Sequence, residues 1–92
     1  MNITDIRIRM LKNKDSKIKA SASVTIDDCF VVHDIKVIEG NDGPFISMPS
    51  RKTNEGDFKD IAHPLNSLTR EHLKTLILNK YREESEKNDE PA

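Results

Sequence analysis

Residues 61–73 read Ile61-Ala62-His63-Pro64-Leu65-Asn66-Ser67-Leu68-Thr69-Arg70-Glu71-His72-Leu73, and the hydrophobic period changes inside them. Upstream, apolar residues recur at every second position. Downstream, they recur at every third or fourth. Period two describes a half-buried strand and period 3.6 an amphipathic helix. Pro64 disfavours helix at residue 63. Asn66, Ser67 and Thr69 each offer an oxygen that can cap a helix start. Leu68, Leu73, Leu76, Ile77, Lys80 and Tyr81 follow at helical spacing. The pattern predicts one helix over about 68–84, with its apolar stripe on a sheet.

The sheet is readable by working back from that boundary. Ile6, Ile8 and Met10 alternate with Asp5, Arg7 and Arg9. Ile18, Ala20, Ala22, Val24 and Ile26 alternate with Lys17, Lys19, Ser21, Ser23 and Thr25. Polar Lys12 to Ser16 separates the two runs, so they form an antiparallel hairpin with one apolar face. Asp27-Asp28 breaks the second run. Phe30 to Ile38 is β-branched and nearly continuous, which predicts a central strand covered on both faces, although its start at 28–34 also fits a helical turn. Gly40-Asn41-Asp42-Gly43-Pro44 is a turn, and Phe45 to Met48 a short strand that Pro49 ends. Residues 51–61 form a small hairpin around Asn54-Glu55-Gly56. The expected fold is therefore α+β: an antiparallel sheet built from hairpins, then a C-terminal amphipathic helix. Residues 1–84 form one domain and 85–92 an acidic, disordered tail.

Composition narrows the function. The chain has 92 residues, 35% apolar and 34% charged, with no Trp. That is a thin core for a monomer, so a second copy covering part of the sheet is expected. The single Cys29 rules out an intrachain disulfide and suits a reducing compartment. Without a resolving partner nearby it reads as a small, buried or half-buried apolar residue. No apolar run approaches a membrane span and the N-terminus lacks signal-peptide character, so the expected location is the cytoplasm, with no membrane partner.

Net charge is −1, but it is unevenly spread. Residues 83–92 hold five carboxylates against Lys87, a net of −4, which leaves +3 for residues 1–82. Arg7, Arg9, Lys12, Lys14, Lys17 and Lys19 crowd the first 19 residues against Asp5 and Asp15. The acidic end is read as a solvated tail. A second reading has it compete with phosphate for the basic face.

Nothing in the chain converges as a catalytic centre. His33, His63 and His72 fall on a strand, a loop and the helix, and no two stand at a metal-ligand spacing. His63 is read as a backbone hydrogen-bonding group at the turn into Pro64, in preference to an acid–base partner of Asp60. On a regular strand His33 and Asp34 point to opposite faces and cannot form a dyad. With three glycines there is no phosphate-cradling loop. The chain is therefore expected to be no enzyme, with no metal, no cofactor and no small-molecule substrate.

Basic residues carry the remaining signal. Arg51 and Lys52 sit on an extended arm with Ser50 and Thr53, and Lys59 lies on the returning arm. As neighbours, Arg51 and Lys52 diverge on a regular strand, and both reach one ligand only if Pro49-Ser50 bends it or the edge is twisted. Thr69, Arg70 and Lys74 occupy the first turns of the helix, where a cation is unfavourable unless an anion is recruited. Ordinary solvated surface also accounts for these charges, and composition alone favours that reading. Phe30, Phe45 and Phe58 fall on core-like positions, which argues against a stacking platform for single strands.

Two blocks go further. Residues 48–64, Met-Pro-Ser-Arg-Lys-Thr-Asn-Glu-Gly-Asp-Phe-Lys-Asp-Ile-Ala-His-Pro, and residues 30–40, Phe-Val-Val-His-Asp-Ile-Lys-Val-Ile-Glu-Gly, resemble the stage V sporulation protein G (SpoVG) family. The resemblance spans roughly residues 1–82 and fades in the tail. It implies a bacterial regulator of gene expression that binds DNA and RNA, linked to septation, cell division and sporulation. It also implies a homodimer formed through the sheet. Matched residue by residue, it assigns nucleic-acid binding to Arg51, Lys52, Thr69 and Arg70, and to Lys74 in a more variable part of the helix. The alternative is a protein–protein adaptor in septation that binds through an exposed sheet edge without touching nucleic acid.

Overall fold

The computed structural model describes residues 2–11 and 15–88. Lys12, Lys14 and residues 89–92 of the expected tail lie outside them. Strands β1 (Ile3–Met10), β2 (Ile18–Ile26), β3 (Phe30–Gly40) and β4 (Gly43–Ser47) form one antiparallel sheet in the order β1-β2-β3-β4. Strands β5 (Ser50–Lys52) and β6 (Phe58–Asp60) pair separately, and helix α1 spans Ser67–Asn88. The expected α+β fold is the one observed. Two of the hairpins show their local signals. Gly40 pairs with Gly43 across the two-residue turn Asn41-Asp42. Asp27 and Asp28 both adopt left-handed φ, at 52° and 56°. Aspartate tolerates that region better than most residues. Their turn is also tied to β1, with the Asn2 N–H donating to the Asp27 carboxylate at 2.8 Å and the Asp28 N–H donating to the Thr4 hydroxyl at 3.0 Å.

Alternation places the core. Ile6, Ile8 and Met10 stand opposite Val24, Ala22 and Ala20, and Ala20 and Ala22 stand opposite Val37 and Ile35. Onto this face α1 delivers Leu73, Ile77, Leu78 and Tyr81, and Met48 closes one side. Ile77 is fully buried. Truncating such a side chain to alanine costs about 2–5 kcal/mol. The Tyr81 hydroxyl donates to Glu39 at 3.3 Å and joins the helix to β3. No described helix is long and apolar enough to cross a membrane.

Several expectations need correcting. β3 is central in the sheet but covered on one face only. Val31 stays 45% exposed, and His33, Asp34 and Lys36 are exposed beside it. The run looks continuous because of a bulge: between Ala22↔Ile35 and Val24↔Val32, β3 uses one residue more than β2. Asp34 takes φ 63° there. The extra residue shifts the alternation, so Val32 and Ile35 both face the core. Cys29 is exposed in its turn instead of packed. α1 runs past residue 84 to Asn88. Leu68, assigned to the apolar stripe, is 84% exposed, whereas Leu78 takes a core place that the spacing did not single out.

Candidate nucleic-acid interface

The hairpin β5–β6 is short and fixed at both ends. Thr53 N–H donates to the Asp57 carbonyl at 2.7 Å and Gly56 N–H to the Thr53 carbonyl at 3.0 Å. Gly56 has φ 89°, which a side chain would disfavour. At the base, Ile61 N–H donates to the Pro49 carbonyl at 2.7 Å. Pairing inside is regular: Ser50 opposes Asp60, Arg51 opposes Lys59, and Lys52 opposes Phe58. Directly opposed residues share a face of the pleat. Arg51 and Lys59 therefore form one basic face. Lys52 shares the other with Phe58, Ser50 and Asp60.

The loop to α1 positions the second half. His63 donates through Nδ1 to the Pro64 carbonyl at 3.0 Å, the backbone role read from the sequence. Asn66 is the cap: its side-chain oxygen accepts from the Thr69 N–H at 2.8 Å, and its carbonyl from the Arg70 N–H at 3.1 Å. The first turn of α1 contains no acidic residue. Its positive end is therefore not offset locally.

The two halves meet in an open depression lined by Phe58, Lys59, Asp60, His63 and Arg70. Among the sequence-assigned residues, Arg70 is thus brought to the hairpin, beside the cross-strand partner of Lys52. Arg51 lies on the other hairpin face. Thr69 is half-buried and lines a different space, an apolar cavity of about 130 Å³ with Val24, Ile35, Met48 and Leu73. Lys74 is half-buried one helical turn beyond Arg70. Among the described residues, Arg51, Lys52, Lys59 and Arg70 are exposed and make no ion pair. Their charge is available to a ligand.

Two features escaped the sequence. Phe58 is 72% exposed, not core-like, and Phe30 and Phe45 are also exposed. A three-residue strand outside the main sheet has no core to face, so its apolar residue carries no burial information. The second is on the open sheet face. The bulge at Asp34 brings both His33 and Asp34 to one groove with Arg7, Arg9, Ser21 and Ser23, where regular alternation would have separated them. His33 Nδ1 lies 2.8 Å from the Ser23 hydroxyl. An Asp inside a β-branched run was the available signal.

A family model named SpoVG matches residues 1–83. The chain belongs to the SpoVG family. It is 63% identical over 86 residues to a protein of Agathobacter rectalis named septation protein SpoVG, covering 94% of this chain and 98% of that one. The similarly named protein of Caldanaerobacter subterraneus is 60% identical over 88 residues, covering 96% of each chain. That of Clostridium acetobutylicum is 59% identical over 90 residues, covering 98% of this chain and 92% of its own. The SpoVG match takes in both the hairpin and the start of α1, so the depression between them lies wholly inside the family domain.

Proposed function

We propose that this SpoVG-family protein is a cytoplasmic, homodimeric regulator that binds DNA or RNA and acts in septation and sporulation. One observation carries the reading: Lys59 and Arg70 line a single depression, neither of them in an ion pair, at a helix start with no acidic residue in its first turn. Such a site favours an anion, and a polyanion most. Lys59 and Arg70 contact one backbone segment. Arg51 and Lys52, on the paired strand, extend the contact along the hairpin. The Thr69 hydroxyl and Lys74 contribute at the margin. The relatives' names supply the biological setting. Dimerisation uses the uncovered sheet face, where Val31 and Phe45 remain 45% and 44% exposed.

The test is binding to arbitrary DNA duplexes and to DNA and RNA oligonucleotides over a range of salt. Affinity that falls linearly in log–log form with salt is expected, because bound phosphates release counterions. Salt-independent or absent binding would move the reading to the septation adaptor, with β1 or β4 as the open sheet edge.

A further inference from the structure

We infer that Phe58 is a base-stacking residue, and that the depression beside it takes an unpaired nucleobase in preference to duplex. The inference rests on the nucleic-acid reading above and specifies its substrate class. Phe58 exposes 72% of its surface on a hairpin outside the core. An aromatic ring held in water contributes nothing to the fold that an aliphatic residue would not, but its π-face suits any base. The surroundings match a nucleotide in parts. Lys59 and Arg70 line the depression with Phe58, and Lys52 stands directly across the hairpin from it, so cations flank the ring where the backbone would pass. Asp60 also lines the depression. A carboxylate repels phosphate but accepts hydrogen bonds from the amino and imino groups of a base edge. The charge pattern therefore turns the base inward and the phosphates outward. In a duplex the bases are already stacked and paired, and a ring at the surface cannot reach their faces.

The chain contains no Trp, so Phe58→Trp creates a single fluorescent reporter. We expect its emission to be quenched by an oligothymidylate strand and unaffected by inorganic polyphosphate, which has the charge but no bases. Phe58→Ala should weaken binding to the same strand about five- to a hundred-fold. Its salt slope should not change, since no charge is removed, and duplex affinity should stay level. Phe58→Leu should not restore binding, whereas Phe58→Tyr should. Circular dichroism and light scattering establish that fold and association state are intact, as exposure of the side chain predicts. Wild-type affinity in Phe58→Leu, or equal losses for strand and duplex with a changed association state, would overturn the inference and make Phe58 a protein-contact residue. A parent protein that binds no oligonucleotide at low salt would overturn the nucleic-acid reading as well.

Discussion

The side-chain oxygen of Asn66 accepts the Thr69 N–H at 2.8 Å, and this contact fixes where α1 begins. It also decides which groups face a ligand there. The Thr69 amide is consumed by the cap, and the Arg70 amide by the Asn66 carbonyl. Helix-end attraction for an anion is thus left to the amides of Ser67 and Leu68 and to the Arg70 side chain.

Asn66→Ala should destabilise the protein by about 1 kcal/mol, the usual cost of losing such a cap. For a domain of this size that is a fall of roughly 4–8 °C in Tm. Asn66→Asp should behave oppositely in the two assays. A carboxylate caps equally well and suits the helix dipole, so thermal stability should hold or rise slightly. Nucleic-acid affinity should fall, because the new charge sits in the turn that carries Arg70. Calorimetry and filter binding on the same preparations check both signs.

At the bulge, Asp34 holds a φ of 63° that β-branched side chains resist. Asp34→Val should cost about 1–2 kcal/mol in a denaturant titration. Asp34→Gly should be neutral or stabilising, since glycine adopts this conformation freely. Equal effects from both variants would mean that the carboxylate, not the backbone, matters at this position.

The period change around Pro64 revealed the strands, the helix and their order, because each element buries one face against the other. Position 34 broke that logic. A bulge has no hydropathy of its own, so Val32 and Ile35 looked like opposite faces of a doubly covered strand. Phe58 and Leu68 failed for a related reason: apolar character predicts burial only where an element packs on the core. Arg51 and Lys52 fall on opposite faces of a regularly paired hairpin, as alternation on a regular strand implies. The approach of Arg70 to the hairpin depends on how the 61–66 loop folds back, which no spacing encodes.

The uncovered sheet face predicts the association state. Val31 stands opposite Thr25, and Phe45 opposite Ile38, on the side away from α1. The unsubstituted protein should scatter light as a dimer at micromolar concentration. Val31→Asp should shift it to monomer without loss of secondary structure, since the residue is 45% exposed in the single chain. A native monomer would contradict the proposed dimer.

Replacing Arg51, Lys52 and Arg70 together with alanine tests the binding surface. All three are exposed and outside ion pairs among the described residues, so fold and association state should survive. Each lost phosphate contact should lower the salt slope by roughly one unit. Single variants should then separate the roles. Arg51→Ala and Lys52→Ala should weaken all sequences alike, because a hairpin this short lies along the backbone more easily than it enters a groove. Arg70→Ala should do the same if it contacts phosphate only. If Arg70 reads a base edge, its loss should cost about 1–3 kcal/mol at preferred sites and little elsewhere. Unchanged affinity and unchanged slope in the triple variant would exclude the hairpin–helix surface. The cations of the open sheet face, Arg7 and Arg9, which line a groove with Ser21, Ser23 and His33, would then be the next place to look.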